Sequence, residues 1–129
     1  MRNKFLGTGD SGYNFKRKML IIFSGLRFAI ANDFSVAYKM AVSVAVLLAA
    51  TIFHRYVDVL LLLLATGLMM ITEIVNSAIE ALCDFVEERH NEKIKVIKDI
   101  AAAAAGISIF IWLVVFGVEI VELYRLFFG

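Results

Sequence analysis

From Ile100 to Val118 ("IAAAAAGISIFIWLVVFGV") the chain runs for 19 residues without a charge. Coiled as an α-helix this segment is about 28 Å long, close to the hydrocarbon thickness of a bilayer. In hydrocarbon every backbone N–H and C=O must be bonded internally, so such a segment is helical. The rest of the sequence agrees with a membrane setting. Of 129 residues, 61% are hydrophobic and 19% charged, and there is no proline. The mean hydropathy is +0.83. A soluble domain of this length has too little polar surface to cover so much apolar material. The sequence predicts a single all-α integral membrane domain.

Two more spans are expected, over 35–53 and 57–83, with the third over 100–119. The middle stretch is uncharged only from Val59 to Thr72, about 21 Å of helix, so its span must continue to about Cys83. Lys39, near the start of the first span, is placed to snorkel its ammonium to the interface. Ahead of the spans, residues 13–32 put Phe15, Met19, Ile22, Phe23, Leu26 and Ile30 on one helical face, with Lys16 and Arg17 off it. This predicts an amphipathic helix lying on the membrane surface. Residues 1–12 read as a flexible tail and 84–99 as a charged loop. The N-terminal residues lack the apolar core of a signal peptide, so no cleavage is expected.

Seven of the 13 Lys and Arg residues lie at or before Lys39 and four more in 84–99, leaving Arg55 and Arg125 for the other side. The positive-inside rule then puts the N-terminus and the charged loop in the cytoplasm and the C-terminus outside. A net charge of +1 excludes a nucleic-acid surface, and one cysteine, Cys83, excludes a disulfide within the chain.

Chemistry concentrates where the middle span should be deepest. Glu73, Asn76, Glu80 and Asp84 ("TEIVNSAIEALCDF") fall within an arc of about 80° on a helix, one polar stripe on an apolar rod. A carboxylate at mid-span costs about 2.5–3.5 kcal/mol on insertion scales, which makes Glu73 a functional candidate; the plain alternative is a helix-packing hydrogen bond. Glu80 and Asp84 are either interfacial charges or ligands of a hard divalent cation, which takes one or two carboxylates together with substrate phosphates. Asp33 can supply a further oxygen, or it and Asn32 simply cap a helix. Lys98 and Asp99 stand at the start of the third span, where a lysine opposes the macrodipole preference; beside exposed helix N–H groups it suits a phosphate. The alanines that follow allow close helix approach. "GTGDSG" fits a dinucleotide fingerprint in letters only, since no strand precedes it, and there is no GxxxxGK[ST] loop. His90 reads as a solvated loop residue; His54 and Cys83 carry no signal.

"EIVNSAIEALCD", followed fourteen residues after its Asp by "KDIAAAAA", resembles the prokaryotic diacylglycerol kinase and undecaprenol kinase family, as does "GLRFAIAND" upstream. The resemblance spans about residues 13–120. It implies a homotrimer with active sites shared between subunits in the bacterial cytoplasmic membrane, transferring the γ-phosphoryl group of Mg-ATP to a lipid alcohol. It implies that Glu73 is the general base and that Glu80 and Asp33 bind Mg²⁺, with Asp33 one methylene shorter than the family's glutamate. It places Asn76, Asp84 and Arg27 beside the substrate. It implies ATP contacts from Asp33, Glu80, Arg89, His90, Asn91, Lys98 and Asp99, and a phosphate contact from Lys16 or Arg17. The acceptor is diacylglycerol or, alternatively, undecaprenol. A reading of a different class, a non-catalytic three-span subunit or small ion-conducting oligomer, fits less well, because the first and third spans are almost wholly apolar.

Overall fold

The computed structural model of the chain describes residues 14–53 and 55–129; the expected tail, the GTGDSG motif, Tyr13 and His54 lie outside the described residues. Four helices follow one another: α1 (Phe15–Asn32), α2 (Phe34–Ile52), α3 (Tyr56–Val86) and α4 (Glu92–Phe128). No strand occurs among the described residues. The three long apolar helices are α2, α3 and α4, and each is long enough to cross a membrane. The chain divides into two compact units, 1–34 and 35–129.

In the first unit, α1 begins where the Asn14 side chain accepts the Arg17 N–H at 3.1 Å, satisfying one of the free donors of the first turn. It ends at Asp33, whose extended backbone still donates its N–H to Ala29. Asp33 is therefore the C-cap of α1. No α1 residue is buried. Of the expected apolar face, Phe15, Ile22 and Phe23 are exposed and Met19, Leu26 and Ile30 partly covered.

In the second unit, α3 and α4 form an antiparallel hairpin with a clear register. Asp84 lies against Lys98 at one end, Thr72 bonds Ser108 midway, and Asp58 nears Glu122 at the other end. The buried residues are mostly apolar: Leu62, Met69 and Met70 of α3, with Trp112 and Phe116 of α4, whose rings stack at 4.8 Å. Of the alanine run, Ala101 and Ala105 are buried while Ala102, Ala103 and Ala104 face outward, so two small residues a turn apart make the close approach. α2 is held to the hairpin by polar contacts. Trp112 donates its indole N–H to the buried Ser43 hydroxyl at 2.9 Å, and Lys39 reaches Glu73. The outer faces carry Leu60, Leu63, Leu64, Ile71, Ile107 and Phe110 exposed, a surface suited to lipid and not to water.

The structure revises two boundaries. α3 runs to Val86, and α4 starts at Glu92 instead of near Ile100, so the expected loop 84–99 shrinks to Glu87–Asn91. Asn91 causes this: its side chain accepts the N–H groups of Lys93 and Ile94 at 2.9 and 3.3 Å. Glu92 complements the helix dipole in the first turn, and Lys95 pairs with Asp99 one turn on. The charges of 92–99 clothe a helix.

Lengths then differ usefully. α2 is about 28 Å long, α3 about 46 Å and α4 about 55 Å. Lys39 and Ser35, which meet Glu73's level, lie in the first two turns of α2. Beyond that level α3 continues for about 20 Å from Glu73 to Val86 beside α4, with no α2 alongside.

At the opposite end, Arg55 donates to Asp58 at 2.6 Å, bonds Glu122 and approaches the buried Glu119 at 3.8 Å. Sequence reading counted Arg55 only for orientation; in the fold it is the counter-charge of three carboxylates gathered from α3 and α4. Arg55→Ala is expected to lower the thermal unfolding temperature in detergent, with a deficit that shrinks as pH falls and the carboxylates take up protons. Ser43→Ala, which strands the Trp112 N–H, is expected to cost about 1 kcal/mol in an unfolding titration.

Candidate active site

The face of α3 that packs in the membrane seam does not end at Glu73; it changes chemistry there. Leu62, Thr66 and Met69 lead along one face to Glu73, and Asn76, Glu80 and Asp84 continue the same face past the start of α2. Burial falls along the way. Glu73 is 7% exposed, Asn76 is half-buried, and Glu80 and Asp84 are open.

Glu73 has a partner that sequence reading did not foresee. Lys39 is 4% exposed and donates from Nζ to Glu73 Oε1 at 2.5 Å and to Ser35 Oγ at 2.7 Å. The snorkelling expected of Lys39 is therefore corrected: its ammonium points into the bundle because a buried carboxylate leaves it a better partner than the interface does. A lysine one turn into an apolar helix, with a carboxylate in the next span, was the available signal. The other oxygen of Glu73, Oε2, is buried and has no hydrogen-bond partner among the described residues; the same holds for Asn76 Oδ1 one turn on. Unmet buried acceptors are costly, and two of them a turn apart on one stripe suit an incoming hydroxyl donor.

Five of the sequence-predicted nucleotide residues gather elsewhere. Arg89, His90, Asn91, Lys98 and Asp99, joined by Asp84, which was expected beside the substrate, line an open groove of about 470 Å³ where α3 turns into α4. Along α3 the groove lies about 16 Å from Glu73, with Glu80 between them at about 10 Å from Glu73. The expected exposed helix N-terminus at Lys98 is absent. Lys98 and Asp99 are nearly two turns inside α4, and the first-turn N–H groups of Lys93 and Ile94 are taken by Asn91. Asn91 thus serves first as the cap that shapes the groove.

The groove's cations are engaged by acids. Lys98 binds Asp84 at 2.5 Å, Lys95 binds Asp99 at 2.9 Å, and Arg89 nears Glu87 at 3.6 Å. The hydrogen bond to Asp84 holds the Lys98 ammonium, outside the span, above the ordinary lysine range. The His90 ring meets Glu92 at 2.8 Å and is largely exposed, in keeping with a solvated loop residue. Four carboxylates (Asp84, Glu87, Glu88, Asp99) against three permanent cations (Arg89, Lys95, Lys98) line the groove, which suits a metal-complexed nucleotide better than a bare polyanion.

Glu80 fits a hard cation: it is exposed, with only a long bond from Asn76 Nδ2 at 3.4 Å. Asp33, Lys16, Arg17 and Arg27 belong to the first unit. There Lys16, Arg17 and Arg27 project from α1 as exposed side chains, and Asp33 is partly buried at its C-cap. Among the described residues, three carboxylates close enough to chelate occur at Asp58, Glu119 and Glu122, where Arg55 already supplies the positive charge.

Comparison with curated proteins finds no match. Against protein families, the chain matches the prokaryotic diacylglycerol kinase family over residues 21–120, which includes the whole polar stripe, Lys39 and the groove. A match over so much of the chain settles membership: this membrane protein belongs to the prokaryotic diacylglycerol kinase family of lipid kinases.

Proposed function

We propose that the protein phosphorylates diacylglycerol with Mg-ATP, giving phosphatidic acid, at a site strung along α3 from Glu73 to the groove. The observation that carries this reading is Glu73 itself: a carboxylate at the edge of the apolar bundle, with one oxygen clamped and the other buried without a donor among the described residues. Such a group is built to accept a proton from a hydroxyl that arrives through lipid.

In the reaction the acceptor hydroxyl gives its proton to Glu73 Oε2 as its oxygen attacks the γ-phosphorus. The bond from the γ-phosphorus to the β–γ bridging oxygen breaks, and ADP leaves with that oxygen. Asn76 orients the hydroxyl. Glu80 and Asp33 would hold Mg²⁺, whose charge would offset that of the phosphates. Lys98 exchanges Asp84 for phosphate, and Arg89, His90, Asn91 and Asp99 seat the nucleotide in the groove, with Lys16 or Arg17 adding a phosphate contact. Arg27 lies on the lipid side. Positioning and electrostatics do most of the work in such a transfer, so a small site suffices.

The exposed lower stripe of each chain is covered by a neighbouring subunit in a homotrimer, with α1 lying on the membrane surface. The N-terminus and groove face the cytoplasm and the C-terminus lies outside, in the bacterial cytoplasmic membrane. The excess of Lys and Arg at that end supports this orientation.

The test is transfer of labelled phosphate from Mg-ATP by the lipid-reconstituted protein, with diacylglycerol and undecaprenol offered in parallel. Label in diacylglycerol is expected. Label in undecaprenol alone would move the acceptor, and label in neither would return the non-catalytic reading. Glu73→Gln is expected to lower kcat by about 10²-fold or more while ATP still binds; near-normal turnover would remove the base assignment. Lys98→Ala is expected to raise the KM for Mg-ATP roughly tenfold, and Asp84→Asn, which frees Lys98, to lower it.

A further inference from the structure

Glu73 is one half of a buried ion pair, and the other half has no place in the reaction as described so far. Lys39 comes from α2, 34 residues earlier, and meets Glu73 through Oε1 alone. Its second bond, to Ser35 on the preceding turn, fixes the ammonium from behind. Both side chains are more than nine-tenths buried.

No other charge among the described residues faces Glu73 at this level. α4 contributes Ala105 and Ser108, with the Ser108 hydroxyl engaged by Thr72 and the Ala105 carbonyl. On α3 itself the neighbours along the stripe are Met69 and Asn76, and the next acid is Glu80, about 10 Å away along the axis. Among the described residues Lys39 is therefore the charged partner of Glu73.

We propose that Lys39 is the positioning residue of the phosphoryl-transfer step. Its ammonium keeps Glu73 ionised inside the bundle and pins Oε1, so that Oε2 alone is presented to the acceptor hydroxyl. Lys39 touches neither lipid nor nucleotide and acts through Glu73. The proposal rests on the reading of Glu73 as general base. The proton passes from the hydroxyl to Oε2, and Lys39 keeps its own protons throughout.

The sign of the pH effect follows. A carboxylate buried without a counter-charge takes up a proton, and a protonated Glu73 cannot act as base. Removing the charge of Lys39 should therefore silence the enzyme at low pH and let activity return as pH rises.

The experiment measures kcat and KM against pH for the reconstituted wild type, Lys39→Met, Lys39→Gln, Lys39→Arg and Glu73→Gln. For Lys39→Met, kcat is expected to fall about tenfold or more at about pH 6 and to recover at alkaline pH, its rising limb displaced upward by about one pH unit or more. The KM for Mg-ATP should stay within about twofold, and Lys39→Arg should restore the wild-type limb. Lys39→Gln still donates a hydrogen bond without charge. It should show the same displacement, and it decides the matter if Lys39→Met does not fold.

An unshifted limb in the neutral variants, with Glu73→Gln inactive, would overturn the role of Lys39 and leave the base assignment standing. Activity in Glu73→Gln would overturn the base assignment itself. Loss of activity in equal proportion at every pH would make Lys39 a packing residue only.

Discussion

The contact between Lys39 and Glu73 is the constraint around which the second unit is arranged. Taking an ammonium and a carboxylate out of water costs several kcal/mol for each ion, and only close, well-bonded contact offsets it. The pair therefore demands that α2 start level with Glu73, that Ser35 stand behind the lysine, and that α4 present small side chains there. All three conditions hold. The pair also marks a border: on one side the α3 face is apolar and packed, and on the other it is a ladder of polar groups with α2 gone.

In the proposed reaction that border would let a chain of this size bring together reactants from two phases. The apolar section of three helices is about as long as a bilayer is thick, and the α3–α4 hairpin projects beyond it. Asn91 starts α4 early, which turns the charges around it into the walls of a groove instead of a loose loop. In the proposed reaction a lipid hydroxyl and a water-borne nucleotide would meet along one helix face. The far end is closed by Arg55 and its three acids, a fastening with no part in the chemistry proposed here.

Much of this was legible in the residues. Uncharged runs marked the three spans because hydrocarbon tolerates little else, and the spacing of Glu73, Asn76, Glu80 and Asp84 put them on one face. The family resemblance agrees with the family match. What escaped were pairings between distant residues. Lys39 looked like an interfacial lysine because a position near the start of a span is where lysines usually snorkel; only the tertiary fold brings its partner within reach. Asp58, Glu119 and Glu122 were not singled out at all, since only the fold gathers them around Arg55. The early start of α4 was hidden because residues 92–99 carry charge instead of an apolar period, although Asn91 followed by glutamate and lysine was a cap signal in plain sight.

The most direct test of the central claim is a double-mutant cycle on Lys39 and Glu73, read as unfolding free energy in mixed micelles. Lys39→Met alone and Glu73→Gln alone should each destabilise by about 3 kcal/mol, since each leaves one buried polar partner stranded. The double variant, with no charge left to strand, should be close to the wild type, giving a large coupling term. Additive losses in the double variant would mean that the two side chains do not meet, and the border drawn at Glu73 would have to be placed elsewhere.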